Sequence, residues 1–140
     1  MSRIVVAAAV AAIAVAGFGR SVTAHHSFAA QYDRERTITL NGTVTRVEWM
    51  NPHVYFYLDV KEASGAVAHW AIEGGAPTSL YRAGWRKDSL KAGDVVTVHG
   101  YLARDGSKLA NMRAATLPDG REVLGGQNYY GPGAPKPPGR

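Results

Sequence analysis

Two adjacent histidines, His25 and His26, follow a stretch with the composition of a secretory signal peptide, and their position could create a metal ligand. Cleavage after Ala24 would leave His25 as the first residue of the mature chain. An N-terminal histidine offers a metal its imidazole and its free α-amino group, whose reference pKa is about 7.7. Nitrogen ligands of this kind suit copper, zinc, nickel and iron. The sequence therefore predicts a bidentate ligand at the start of the exported protein.

A further nitrogen is available at His53, which directly follows Asn51 and Pro52. Proline cannot donate to a β-ladder and asparagine favours turns, so we expect His53 at the rim between two strands. Two nitrogens from His25 and one from His53 would form a histidine brace, an arrangement that favours copper. His26 could replace either imidazole. The alternative is that the terminal histidines are solvated and that His53 forms a hydrogen bond within its own turn.

The export prediction depends on residues 1–24. Arg3 precedes an uncharged apolar run from Ile4 to Gly19, and the small residues Val22 and Ala24 occupy the two positions that a signal peptidase inspects. The run is shorter than the roughly 20 residues that span a bilayer as a helix. We therefore expect a cleaved signal peptide, a periplasmic protein and no stable membrane insertion after processing. A retained N-terminal anchor, or cleavage a residue or two away, is the alternative.

Composition limits the classes of function. The chain has 16 Lys+Arg against 11 Asp+Glu, but these charges are scattered, so we predict no nucleic-acid partner. The absence of cysteine excludes disulfides, thiolate metal sites and cysteine catalysis. The sequence contains no Gly-x-Ser-x-Gly motif, and no carboxylate pair has a separation that spacing could establish. Glu48 and Glu73 lie near strand ends, where each could approach His53 or pair with Arg46 or Arg82. We therefore predict a binding protein and not an enzyme.

Strand patterns dominate residues 37–124, after an N-terminal arm over residues 25–36. Alternating apolar residues predict five strands at 37–49, 53–61, 67–73, 95–102 and 110–117, with a short helix at 78–83. This order matches a small all-β protein, a five-stranded OB-fold-like Greek-key barrel with one short helix between strands 3 and 4. A small β-sandwich is the alternative. The Pro- and Gly-rich residues 125–140 predict a disordered tail. The predicted core consists of Ile38, Leu40, Val44, Val47, Val54, Phe56, Leu58, Trp70, Ile72, Val96, Val98, Leu102, Met112 and Ala114.

The outer faces of the predicted strands carry a second set of candidate ligand-binding residues: Tyr55, Tyr57, His99 and Tyr101. OB-folds use such faces and their connecting loops to bind oligosaccharides or to stack bases. This pattern supports an alternative function, a periplasmic interaction module for a saccharide, a peptide or another envelope partner. Tyrosine is also a good strand former, so the same residues could have a purely structural role.

Five segments of the chain share a pattern with a known family: residues 24–33, 42–53, 70–75, 84–85 and 93–100. Together they resemble a group of exported proteobacterial proteins, the domain of unknown function 6152. The resemblance covers about residues 24–124 and includes the small-residue-His-His-Ser start and the Asn-Pro-His turn. It implies export and a small β-barrel. It brings no established activity and no settled binding residues.

Overall fold

The computed structural model describes residues 28–126. The predicted signal peptide, His25, His26 and residues 127–140 of the predicted tail lie outside the described residues. The described elements, in chain order, are α1 (Phe28–Gln31), β1 (Tyr32–Glu48), β2 (Tyr55–Lys61), β3 (Val67–Glu73), α2 (Pro77–Arg82), β4 (Val95–Ala103), β5 (Leu109–Thr116) and β6 (Glu122–Leu124). None of the helices within residues 28–126 is long and apolar enough to cross a membrane.

The strands pair in the order β3-β2-β1-β4-β5-β6, and every neighbouring pair is antiparallel. A parallel pairing between β3 and β5 then joins the two sides, so that β1 to β5 form a closed ring. The predicted all-β barrel is confirmed, and α2 connects β3 to β4 as expected. The three-residue strand β6 was not predicted. It pairs with the end of β5 after a turn at Pro118, Asp119 and Gly120.

Strand β1 is long enough to belong to two pairings. Its first part pairs with β4 from Tyr32 to Thr43, and its last part pairs with β2 from Thr43 to Glu48. The register with β2 shifts between Val44 and Arg46, where the apolar pattern of the sequence also changes phase. Gly42 lies at the crossing, and a Cβ there would be 2.8 Å from the carbonyl oxygen of Asp59. The close approach of the two backbones therefore requires glycine.

The barrel interior contains most of the predicted core. Ten predicted residues are buried: Leu40, Val44, Val54, Phe56, Leu58, Ile72, Val96, Val98, Met112 and Ala114. Four others are only half-buried: Ile38, Val47, Trp70 and Leu102. The region between β3 and β4 extends the core with Leu80, Trp85 and Leu90. Trp85 packs against Phe56 and donates its indole N–H to the carbonyl of Leu124 at 2.8 Å.

Strand β1 begins at Tyr32, within the predicted arm, because Tyr32 pairs with Ala103 of β4. At the other end, the described structure continues two residues past the predicted boundary at 124. The Gly125 carbonyl accepts a hydrogen bond from the Gly75 amide at 2.7 Å, and the Gly125 amide donates to the Arg113 carbonyl at 2.8 Å. A Cβ on Gly125 would lie 1.9 Å from the Met112 carbonyl oxygen, so only glycine fits.

Candidate functional site

A carboxylate that is almost fully buried lies at the end of β3. Glu73 is only 4% exposed. Its Oε2 accepts hydrogen bonds from the hydroxyls of Tyr55, at 2.9 Å, and of Tyr32. Its Oε1 is 2.6 Å from Nδ1 of His53. We call these four residues the Glu73 cluster.

Three parts of the chain position this cluster. Tyr55 begins β2 and is the direct cross-strand partner of Glu73, so the two side chains share one face of the sheet. His53 precedes Tyr55 by two residues and follows the Asn51-Pro52 turn that was predicted to place it at the rim. Tyr32 begins β1, where it pairs with Ala103 of β4, and is 2% exposed. The cluster therefore ties the first described segment to strands β2 and β3.

The segment before Tyr32 is held against the barrel by several contacts. The ring of Phe28 lies 5.4 Å from that of Tyr32 and 5.7 Å from that of Tyr101. Arg104, in the turn after β4, donates from Nε to the carbonyl of Ala29 at 2.8 Å, and its amide donates to the carbonyl of Gln31 at 2.9 Å. Helix α1 is therefore fixed beside the Glu73 cluster.

The environment of the two phenols determines which groups donate in this cluster. Burial raises the pKa of Tyr32 and of Tyr55 far above the usual value of 10.0, and the hydrogen bond to Glu73 and its charge raise both further. Both hydroxyls therefore stay protonated and act as donors. An ionised carboxylate can only accept, so with Glu73 ionised the donor in the contact with Oε1 is Nδ1 of the His53 imidazole.

This protonation leaves Nε2 of His53 as the nitrogen that can do chemistry. In a neutral imidazole with a proton on Nδ1, Nε2 has a lone pair that can bind a metal or accept a proton. The His53 side chain is 39% exposed, so a ligand can reach it. Metal-bound histidines commonly donate their other N–H to a carboxylate, which orients the ring and makes it a stronger ligand. The His53–Glu73 pair has this arrangement.

Residues 28–126 contain no group of three or more His, Asp or Glu side chains placed to hold a metal. Within that range, two imidazoles face a carboxylate through Nδ1 at 2.6 Å: His53, whose partner Glu73 is buried, and His69, whose partner Asp59 is partly exposed. The two other predicted metal ligands, His25 and His26, lie outside the described residues.

The predicted outer-face residues are distributed over several contacts. Tyr55 belongs to the Glu73 cluster, and Tyr101 packs against Phe28. His99 has its Nδ1 at 3.0 Å from the hydroxyl oxygen of Thr39. Tyr57 donates its hydroxyl to Glu48 at 3.1 Å and stacks under the guanidinium of Arg46.

Two residues of the cluster were not among the predicted site residues. The sequence placed both Glu73 and Glu48 near strand ends but could not choose between them as partners of His53. In the structure Glu73 pairs with His53, whereas Glu48 pairs with Arg46 at 3.1 Å. Tyr32 falls in the predicted N-terminal arm, for which the sequence indicated no site residue other than His25 and His26. Its position before an alternating strand carries no signal that its hydroxyl would reach a carboxylate 41 residues away.

Comparison with known proteins identifies the family. The model for the family of unknown function DUF6152 matches residues 9–112, and the chain belongs to this family. No curated protein matches the chain. Among solved structures, a chain from the crystal structure of a complex of TiaS with tRNA and ATP is similar, with 23% sequence identity and a TM-score of 0.44. That similarity covers 61% of this chain and only 18% of the other.

Proposed function

We propose that this protein is exported to the periplasm and binds a transition metal ion, with copper preferred, through Nε2 of His53 and the terminal nitrogens of His25. In this proposal it is a metal-handling protein and not an enzyme. The observation that carries the proposal is the 2.6 Å contact between Nδ1 of His53 and the buried carboxylate of Glu73. This contact leaves Nε2 available and aims it from a fixed ring.

The charge of the Glu73 cluster supports a bound cation. A brace of two imidazoles and one amine is neutral, so a divalent ion in it keeps its full charge. Glu73 is separated from that ion only by the imidazole of His53, and no Lys or Arg is among its hydrogen-bond or ion-pair partners in the described part of the chain. Its negative charge therefore favours a cation at His53.

The position of α1 supports the participation of His25. Phe28 is three residues after His25 and contacts Tyr32, whose hydroxyl shares Glu73 with His53. Three extended residues span up to about 10 Å, since each covers at most about 3.6 Å. We propose that this reach brings the terminus of a chain that begins at His25 to the rim where His53 lies.

Copper titration of the exported protein tests the proposal. Intact mass should first show a chain that begins at His25. We expect one Cu(II) per chain, and we expect His53→Ala, or one additional alanine before His25, to weaken binding at least tenfold. His99→Ala is the matched control, because that imidazole lies on another strand with Thr39 as its partner, and it should change the affinity less than twofold.

Two results would contradict the proposal. A mature chain that begins at another residue would remove the bidentate terminus. Equal copper affinity for the processed protein and for the form with the additional alanine would show that the free amine is not a ligand.

A further inference from the structure

A shallow groove lies along β1, β2 and β3, separate from the residues of the Glu73 cluster. It is open to solvent and has a volume of about 580 Å³. This size falls in the range of about 300–1,000 Å³ that is usual for small-molecule sites. Its lining includes Tyr57 and Trp70, the small residue Ala71, and the charged side chains of Arg46 and Lys108.

Aromatic rings with cations above them form two sides of the groove. The guanidinium of Arg46 lies 4.1 Å from the centre of the Tyr57 ring, and the ammonium of Lys108 lies 5.5 Å from the centre of the Trp70 ring. Ala71 is the cross-strand partner of Tyr57, so only a methyl group occupies the floor beside that ring. Trp70 is the cross-strand partner of the buried Leu58 and packs partly against the core, so only its exposed part is open to a ligand. The flat, apolar side of a ligand can contact either ring by sharing or displacing the cation above it.

The charges of the groove are already paired. Arg46 contacts Glu48 at 3.1 Å, Lys108 contacts Glu62 at 2.9 Å, and His69 contacts Asp59 at 2.6 Å. Nucleic acids and other polyanions are bound mainly by cations that neutralise their charges. Here such a ligand would have to displace a carboxylate at each cation. A hydroxyl group both donates and accepts, so it can use both members of an ion pair at once.

The backbone around the groove also argues against an extended peptide. Peptides that add a strand need an open sheet edge. Strand β2, the centre of the groove, is paired on one side with β1 and on the other with β3. The backbone groups of β2 are therefore already used, whereas β3 is paired on its second side only over Ala71–Glu73.

We propose that this groove binds a neutral saccharide. The ligand class combines apolar ring faces, which fit Tyr57 and Trp70, with hydroxyls, which fit the two ion pairs and the His69–Asp59 contact. Five-stranded barrels of the OB type bind oligonucleotides and oligosaccharides on the face of their second and third strands and on loops that include the one between the fourth and fifth, where Lys108 lies. The inference does not depend on metal binding, because the residues that carry it lie outside the Glu73 cluster.

NMR titration of the isotope-labelled protein tests this site. The probes are chitohexaose, cellohexaose and maltohexaose, with a twelve-nucleotide oligothymidylate as the polyanion. At least one hexasaccharide should shift the signals of Tyr57 and of the Trp70 indole. Tyr57→Ala should weaken that binding at least tenfold, whereas Tyr57→Phe, which keeps the ring, should stay within about threefold.

Tyr81→Ala is the matched control, because Tyr81 is an exposed tyrosine with the Arg86 guanidinium 4.1 Å from its ring centre, away from the groove. It should leave saccharide binding unchanged. Ala71→Gln fills the groove floor and keeps both rings, so it should also weaken binding tenfold. This variant replaces Tyr57→Ala in the test if Tyr57→Ala does not fold. The proposal is overturned if none of the hexasaccharides shifts these signals, if the oligonucleotide binds more tightly than they do, or if Tyr81→Ala weakens binding as much as Tyr57→Ala.

Discussion

Replacing Glu73 with glutamine should change which nitrogen of His53 carries the proton. In the native protein Oε2 of Glu73 accepts from two phenols and Oε1 faces Nδ1 of His53. The glutamine carbonyl can replace Oε2, because the phenols of Tyr32 and Tyr55 must donate. The glutamine NH₂ then faces Nδ1 and can only donate to it. The imidazole proton therefore moves to Nε2, which loses its lone pair.

The expected change in the free energy of unfolding follows from the three hydrogen bonds that Glu73 accepts. Hydrogen bonds to a charged group contribute about 1.5–3 kcal/mol each, and hydrogen bonds between neutral groups contribute about 0.5–1.5 kcal/mol. Replacing three bonds of the first kind by three of the second therefore costs about 3 kcal/mol. Part of this loss is offset because an amide loses less hydration free energy on burial than a carboxylate does. We expect a net loss of about 1–2 kcal/mol in the free energy of unfolding. Loss of an orienting carboxylate typically lowers metal affinity about 10–100-fold, and we expect copper affinity to fall by at least that factor.

Long-range proton–nitrogen correlation spectra report the tautomer directly, and urea unfolding reports stability. Glu62→Gln is the control, since that carboxylate forms an exposed pair with Lys108, and exposed pairs contribute about 1 kcal/mol or less. The reasoning is refuted if Glu73→Gln keeps the proton on Nδ1. It is also refuted if copper affinity is unchanged while the proton has moved to Nε2.

Three other predictions concern the same scaffold. Because the pKa values of Tyr32 and Tyr55 are raised in the folded state, the stabilising effect of the two tyrosines is complete below about pH 10, and above it the free energy of unfolding declines by about 1.4 kcal/mol per pH unit for each tyrosine. Urea unfolding above pH 10 should show a shallower decline for Tyr32→Phe than for the native protein, and parallel curves would contradict the raised pKa. Arg104→Ala removes the side-chain hydrogen bond to the Ala29 carbonyl, so amide hydrogen exchange should accelerate in residues 28–31 while the barrel strands keep their protection. Equal exchange rates in the native and variant proteins would show that this bond does not hold α1. Gly42→Ala places a Cβ 2.8 Å from the Asp59 carbonyl oxygen and should lower the free energy of unfolding by about 1–3 kcal/mol, whereas an unchanged urea midpoint would mean that β1 and β2 can separate at no cost.

The barrel was predictable because its determinants are local. Alternation in β2 and β3 places Phe56, Leu58 and Ile72 inside, and the structure buries all three. The ends of β1 and β5 were less predictable, since they depend on partners that are distant in the sequence. Tyr32 joins β1 only because Ala103 lies opposite it. Strand β6 is too short to produce a periodic signal and forms because the end of β5 offers a free edge.

The Glu73 cluster was predictable only in part, for a similar reason. His53 was identified because a turn and an imidazole are adjacent in the sequence, which is a local signal. Its carboxylate partner is 20 residues away in the sequence, and that carboxylate is 41 residues from Tyr32. Two carboxylates, Glu48 and Glu73, fitted the sequence equally well. Tyr55 is the cross-strand partner of both, of Glu48 in β1 and of Glu73 in β3, so the register alone does not decide between them. The side-chain partners do: Glu48 is held by Arg46 and Tyr57, whereas Glu73 contacts His53, and such contacts are a property of the folded sheet.

Glu73 has two structural roles in this fold. Glu73 holds the start of β1 through Tyr32 and orients His53 through Nδ1, so a change at either end affects the other. If the Tyr32 hydroxyl moves away from Glu73, Oε2 of Glu73 loses one of its hydrogen-bond donors. Because Glu73 is only 4% exposed, this loss favours rotation of the carboxylate or entry of water. A metal at His53 strengthens the bond from Nδ1 to Glu73, because coordination makes that N–H more acidic. We therefore expect metal binding to stabilise the docked position of residues 28–32, and hydrogen exchange in that segment should slow when copper is added to the processed protein but not to His53→Ala.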